Sequence, residues 1–229
     1  FLRRFEHYFP DTDSGDAQGV AQGLQLLTFW HLALRMGPSQ TIQQIEQHQT
    51  QLVELPEFYR LFFYDCPPLI KRVHTPLNKK SVNFAKTPTA EFRLALHAEV
   101  QKIRKVALRL GRLNDTSNWK LSFEATQRLI EDPDNFRVSD EDFQIDTMQK
   151  GVDMRLGLDV ASLAFKKQVD QIVIVAADAD FVPAAKLARR EGIDVILDSM
   201  GAKNAAKDLI EHVDGVRNCF LPKPQGKKD

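Results

Sequence analysis

The sequence predicts an α/β fold of the Rossmann-like, three-layer kind, built on a mostly parallel sheet. Three observations predict it. Residues Ile172 to Val175 are a short β-branched apolar run, the mark of a strand buried on both faces. A helical stretch follows at once, from Pro183 through Ala184, Ala185, Leu187 and Ala188, and stops at Gly192. Ile193 to Leu197 then form a second buried run. Strand, helix and strand at this spacing make a βαβ unit, with parallel strands and a right-handed crossover.

Upstream, the loop residues around Pro10–Gly15 and Met36–Ser39 separate helical stretches at 17–34 and 40–52. Residues 58–64 predict a strand, 89–111 a long helix and 121–131 another. A helix is expected to start near Gly151. On it Asp153 shares a stripe with Leu156, Gly157, Val160 and Ala164, which is apolar and should face the sheet. Residues 202–212 predict a last helix with Leu209 and Ile210 inward, and 216–221 a short final strand. Residues 1–221 read as one domain carrying a helical insertion over about 73–142, which is longer than one crossover needs. The polar tail 222–229 reads as disordered.

The chemistry concentrates just after the 172–175 strand. Asp178 and Asp180 stand one residue apart, at the strand end where open α/β sheets place their ligands. Two carboxylates there are costly unless a cation sits between them, and hard divalent ions take carboxylate oxygens. The competing reading makes one of them a helix cap and the other a solvated loop residue. Asp153, on the inward face of its helix's first turn, is the third candidate. Asp159 lies six residues on and points to a different face, as a partner for a neighbouring base.

Lys150-Gly151-Val152-Asp153, with Asp159 six on, followed by a buried strand and Asp178-x-Asp180-Phe181-x-Pro183, resembles the NYN domain, a PIN-like group of metal-dependent ribonucleases. Leu61-Phe62-Phe63-Tyr64-Asp65-Cys66-Pro67-Pro68 is similar to that domain's second strand, and adds Asp65 as a secondary site residue. The resemblance covers about 58–72 and 143–221. It implies a PIN-like α/β fold, a Mg²⁺ or Mn²⁺ cofactor on Asp153, Asp178 and Asp180, and an RNA substrate. It also implies an opening strand ending in Asp-Gly-x-Asn, which this sequence lacks. The stretch from Phe1 to Tyr8 looks like the helix after that strand, so the chain is expected to be clipped just behind the motif. A second departure is Ala176-Ala177, where the family commonly has Ser-Gly.

Composition agrees with a globular chain. Lys and Arg number 31, as do Asp and Glu, and the net charge is zero. That balance hides a polarity. From Cys66 to Ala90 there is no acidic residue, but there are Lys71, Arg72, Lys79, Lys80 and Lys86. These, with Lys150 at the mouth of the carboxylate cluster, are the expected substrate-binding residues, holding the backbone of single-stranded RNA. The basic residues from Gln101 to Arg112 are expected to continue a helix. No apolar run approaches the ~20 residues needed to span a bilayer, so no membrane partner is expected. Two cysteines, Cys66 and Cys219, are too few for a disulfide scaffold, and a cytoplasmic location is the default. Self-association is left open. The functional expectation is a metal-dependent endoribonuclease. The alternative is a catalytically weak RNA- or protein-binding module on a nuclease fold. A Toprim-type phosphotransfer domain shares the Asp-x-Asp but lacks a strand-borne Glu here.

Overall fold

In the computed structural model, residues 1–34, 57–202 and 207–219 are described. The fold is mixed α/β, with parallel sheets and helices. The helices are α1 (Phe5–Tyr8), α2 (Ala17–Leu34), α3 (Pro88–Lys102), α4 (Phe123–Glu131), α5 (Val152–Phe165), α6 (Val182–Arg190) and α7 (Lys207–Glu211). The strands are β1 (Leu61–Asp65), β2 (Arg72–His74), β3 (Ser81–Asn83), β4 (Val106–Leu110), β5 (Arg112–Leu121), β6 (Phe143–Lys150), β7 (Gln171–Val175), β8 (Asp194–Asp198) and β9 (Gly215–Val216).

The βαβ unit is present as β7–α6–β8. β7 pairs with β8 in parallel, from Gln171 against Asp194 to Val175 against Asp198, and β9 adds in parallel to β8. Alanines at 184, 185 and 188 let α6 lie close on the sheet, against Ile174, Val195 and Leu197. Gly192 ends α6, with Ile193 N–H returning to the Ala188 carbonyl at 3.0 Å. Val195, Leu197 and Leu209 are fully buried, each a burial of about 1.5–3 kcal/mol. Ile210, expected inward beside Leu209, is 43% exposed, because neighbours on a helix point about 100° apart and Leu209 takes the core side.

A second core forms on β1. Phe5, Phe9, Val20, Leu24 and Leu27 of the N-terminal helices meet Phe63, Leu96 and Val100. Here the structure departs from sequence expectation. The helix foreseen over 89–111 stops at Lys102, and Lys105 turns the chain with φ of 60°. Residues 106–110 are β4, which lies parallel to β1 from Leu61 against Val106 to Asp65 against Leu110. The basic residues of 101–112 therefore share no helix face. Nor is the 73–142 segment purely helical. It contributes β3 and β4, and β5 pairs antiparallel with β6 from Arg112 against Lys150 to Leu121 against Phe143. The expected helix at 40–52, the strand end at 220–221 and the 222–229 tail lie outside the described residues.

Candidate functional site

The ends of β7 and β6 set the carboxylate site. After Val175 the chain leaves the sheet, and Asp178 caps a short 3-10 turn, Ala179–Phe181, its Oδ1 accepting from Asp180 N–H at 3.2 Å. The cap commits one Asp178 oxygen. Pro183 then fits the first turn of α6, where no N–H partner is lost. Asp178 and Asp180 are both exposed.

Asp153 reaches the same place from the other side. β6 ends at Lys150, and Gly151, with φ of 79°, turns the chain directly into α5. That backbone conformation suits glycine alone at little cost. The turn rests on Gly111, where any Cβ would come 2.7 Å from Val152 Cγ2, 2.8 Å from the Lys150 carbonyl and 2.9 Å from Cys66 Sγ. Asp153, in the first turn of α5, holds its proton more tightly than an ordinary carboxyl. Desolvation contributes most, followed by the negative charges of Asp180 and then Asp178. The three carboxylates therefore share one electrostatic neighbourhood. Among the described residues no basic side chain forms an ion pair with any of them.

The two secondary residues are engaged elsewhere. Asp159 accepts from Arg109 Nε at 2.9 Å and Nη2 at 3.2 Å, and from the Tyr64 hydroxyl at 2.9 Å. Arg109 in turn lies over the Phe62 ring. Asp65 is nearly buried and takes Arg93 on one oxygen and His97 Nε2, at 2.8 Å, on the other. Both partners come from one face of α3. Burial alone would push the Asp65 carboxyl up. The His97 hydrogen bond, the Cys66 backbone N–H and the Arg93 charge outweigh it and hold it below the usual range. Neither carboxylate has the outward, unpaired oxygens that Asp180 has.

Of the basic residues, Lys71, Arg72, Lys79 and Lys80 fall on or beside a hairpin, and Lys86 ends the short 3-10 turn that follows it. β2 and β3 pair antiparallel from Arg72 against Asn83 to His74 against Ser81. Lys79, with φ of 55°, makes the turn, and Asp140 fixes it by accepting from Leu77 N–H (2.8 Å) and Asn78 N–H (3.2 Å). Lys71, Arg72, Lys79, Lys80, Lys86 and Lys150 are all exposed. Beside the hairpin root is a cleft of about 370 Å³ lined by Pro67, Phe84, Thr87, Arg93, Leu113 and Gln149, among others.

One cluster was not foreseen. Asp198, at the end of β8, is fully buried. Its Oδ1 accepts from the Tyr8 hydroxyl at 2.6 Å and from Met200 N–H at 2.7 Å, and its Oδ2 lies 3.0 Å from His31 Nε2. The donor atoms of His31, Asp198 and Cys219 lie within 4.8 Å of one another, and among the described residues no other set of three potential metal ligands does. The Asp153, Asp178 and Asp180 set is looser than this. The sequence signal was available, since Asp198 ends an apolar strand as Asp178 follows one. Its partners, more than 160 residues upstream and some 20 downstream, carry no local pattern.

Comparison with known proteins places the chain in a family. The family model for the NYN domain matches residues 98–218, more than half of the chain. The match takes in Lys150, Asp153, Asp159, Asp178 and Asp180, and leaves out β1 and the basic hairpin. An uncharacterized protein of Methanocaldococcus jannaschii is 27% identical over 121 residues, which are 53% of this chain and 47% of that protein. The chain thus spans about half the length of the curated relative it matches. No solved structure matches it.

Proposed function

The chain belongs to the NYN domain family, whose fold is PIN-like and of the ribonuclease type, and on that premise we propose that it is a metal-dependent endoribonuclease. The observation that carries the reading is the shared electrostatic neighbourhood of Asp153, Asp178 and Asp180. Three carboxylates come to the strand ends, exposed and without an ion-paired base among the described residues, and two of them raise the pKa of the third. A site that repels itself in this way fits a divalent cation, and an all-oxygen donor set suits Mg²⁺ or Mn²⁺.

Asp153, Asp178 and Asp180 would hold the ion. A bound Mg²⁺ or Mn²⁺ supplies a lowered pKa for its water and neutralisation of charge on the phosphate. The chain's own residues do the rest. Asp178 keeps one oxygen on the Asp180 backbone N–H, and its other oxygen would take the ion. Lys150, exposed at the end of β6, would hold a phosphate oxygen of the same strand. Lys71, Arg72, Lys79 and Lys80 of the hairpin, and Lys86 just after it, hold the RNA backbone without reading sequence. The unpaired flexibility of single-stranded RNA suits a shallow, exposed site of this kind.

The test is Mn²⁺-dependent cleavage of single-stranded RNA by the whole protein. Asp180→Asn keeps the shape and removes one charge, and cleavage should fall to background while the fold and RNA binding persist. Asp178→Asn should do the same. Asp159→Asn should be far milder, because that side chain is turned to Arg109. Full cleavage by Asp180→Asn would end the metal-nuclease reading. One observation favours a second reading, an RNA-binding module with a weakened site: Asp178 spends an oxygen on a cap, behind Ala176-Ala177. RNA binding by a wild type that cleaves nothing would select it.

A further inference from the structure

The buried cluster at the end of β8 takes no part in the carboxylate site, and its donors are of a different chemical kind. It combines one imidazole, one carboxylate and one thiol. Hard ions such as Mg²⁺ and Mn²⁺ prefer all-oxygen sites, whereas a mixed nitrogen, oxygen and sulfur set is what Zn²⁺ takes. We propose that His31, Asp198 and Cys219 form a buried site for Zn²⁺, which ties α2 and the segment after β9 to the end of β8.

Four observations support it. The first is spacing. Zinc bonds of about 2.0–2.3 Å place tetrahedral donors roughly 3.3–3.8 Å apart. The three donor atoms already lie within 4.8 Å of one another, and the 3.0 Å between His31 Nε2 and Asp198 Oδ2 must open only slightly. The ion takes the place of the hydrogen those two atoms share. The second is the support behind the carboxylate. Tyr8 and Met200 both donate to Oδ1, leaving Oδ2 to His31. Ligating carboxylates are held in this way by hydrogen bonds from behind. The third is the imidazole. His31 is buried, and Nε2 is the ring nitrogen that faces Asp198, on the cluster side. The fourth is charge. A dication with one carboxylate and one thiolate is neutral, which a dry interior accepts far more readily than an isolated carboxylate.

Binding forms a bond between the Cys219 sulfur lone pair and the metal and sends the thiol proton to solvent. Uptake is therefore accompanied by proton release and weakens as the pH falls. The competing account is a purely hydrogen-bonded network around Asp198. It predicts no metal affinity at this cluster and no sulfur ligand to any bound metal.

Co²⁺ is the probe, added to the reduced, chelator-stripped whole protein. One equivalent should give a near-ultraviolet sulfur-to-cobalt charge-transfer band, and excess Zn²⁺ should remove it. Cys219→Ser should lose the band, while Cys66→Ser and Asp180→Asn should keep it. Tyr8→Phe, which removes one of the two donors to Asp198 Oδ1, should weaken binding by about 10- to 100-fold. No band in the wild type overturns the proposal, and so does a band that survives Cys219→Ser or is lost with Asp180→Asn. X-ray absorption of the zinc-loaded wild type needs no variant. It should show one sulfur near about 2.3 Å among nitrogen or oxygen neighbours at about 2.0–2.1 Å. A shell without sulfur overturns the proposal equally. Neither measurement depends on RNA cleavage, so failure here and failure of the nuclease reading are separate outcomes.

Discussion

Asp65→Asn isolates the pair of interactions that fastens α3 to the end of β1. The wild-type carboxylate meets Arg93 on one oxygen and His97 on the other, and its side chain is only 10% exposed. Hydrogen bonds to charged groups contribute about 1.5–3 kcal/mol each. The amide keeps one acceptor and turns its NH₂ toward a donor, so most of one bond and the charge attraction of the other are lost. The net cost is about 2–4 kcal/mol, or roughly 4–16 °C in melting temperature for a chain of this size. The loss has a pH signature. The folded-state pKa of Asp65 lies below its unfolded value, so its stabilisation is fully present above about pH 4 and disappears as the pH falls through the folded value. The variant has no carboxyl to titrate there. Urea unfolding of both proteins between pH 7 and pH 3 should show a gap that is widest at neutrality and closes in acid. A neutral-pH gap below about 1 kcal/mol, or one that stays constant down to pH 3, would refute the reasoning.

Three further outcomes are expected. Mn²⁺ at about one hundred times its dissociation constant should stabilise the protein by about 2.7 kcal/mol, and less so as the pH falls, because protons compete for Asp153 at higher pH than for an ordinary carboxyl; scanning calorimetry reads this, and an unmoved wild-type transition at millimolar Mn²⁺ counts against the site. Replacing Lys79, Lys80 and Lys86 together with Ala should flatten the salt dependence of single-stranded RNA binding by about two units, near 0.7 for each phosphate no longer neutralised, and an unchanged slope places the RNA elsewhere. Gly111→Ala should destabilise by about 1–3 kcal/mol and weaken Mn²⁺ binding, because its Cβ pushes on the Lys150–Val152 backbone that carries Asp153; equilibrium unfolding at parental stability would contradict this.

What could be read from the sequence was local. The β7–α6–β8 unit announced itself through a β-branched run, a helix stop at Gly192 and a second run. The α5 start at Gly151 showed for the same reason. β4 did not, because Val106-Ala107-Leu108-Arg109-Leu110 fits a helical stripe as well as a strand. Only its partner, β1, decides between them, and Lys105 at positive φ gives no turn signal. The β5–β6 ribbon depends in the same way on distant pairing, from 22 residues apart at Leu121 and Phe143 to 38 at Arg112 and Lys150. In the candidate site, Asp178, Asp180 and Asp153 stood out by spacing. The engagement of Asp65 by α3, and the meeting of His31, Asp198 and Cys219, follow from tertiary packing.

The parallel pairings also bear on the order of assembly. β7 reaches β8 across 23 positions, Gln171 to Asp194, while β1 must wait for β4 across 45, Leu61 to Val106. Closing the longer loop costs more entropy before any contact rewards it. The segment bearing Asp178 and Asp180 is then expected to gain amide protection early in refolding, with β1 and β4 acquiring theirs later. Pulsed hydrogen exchange would time the two, and simultaneous protection would mean that one cooperative step builds both sheets.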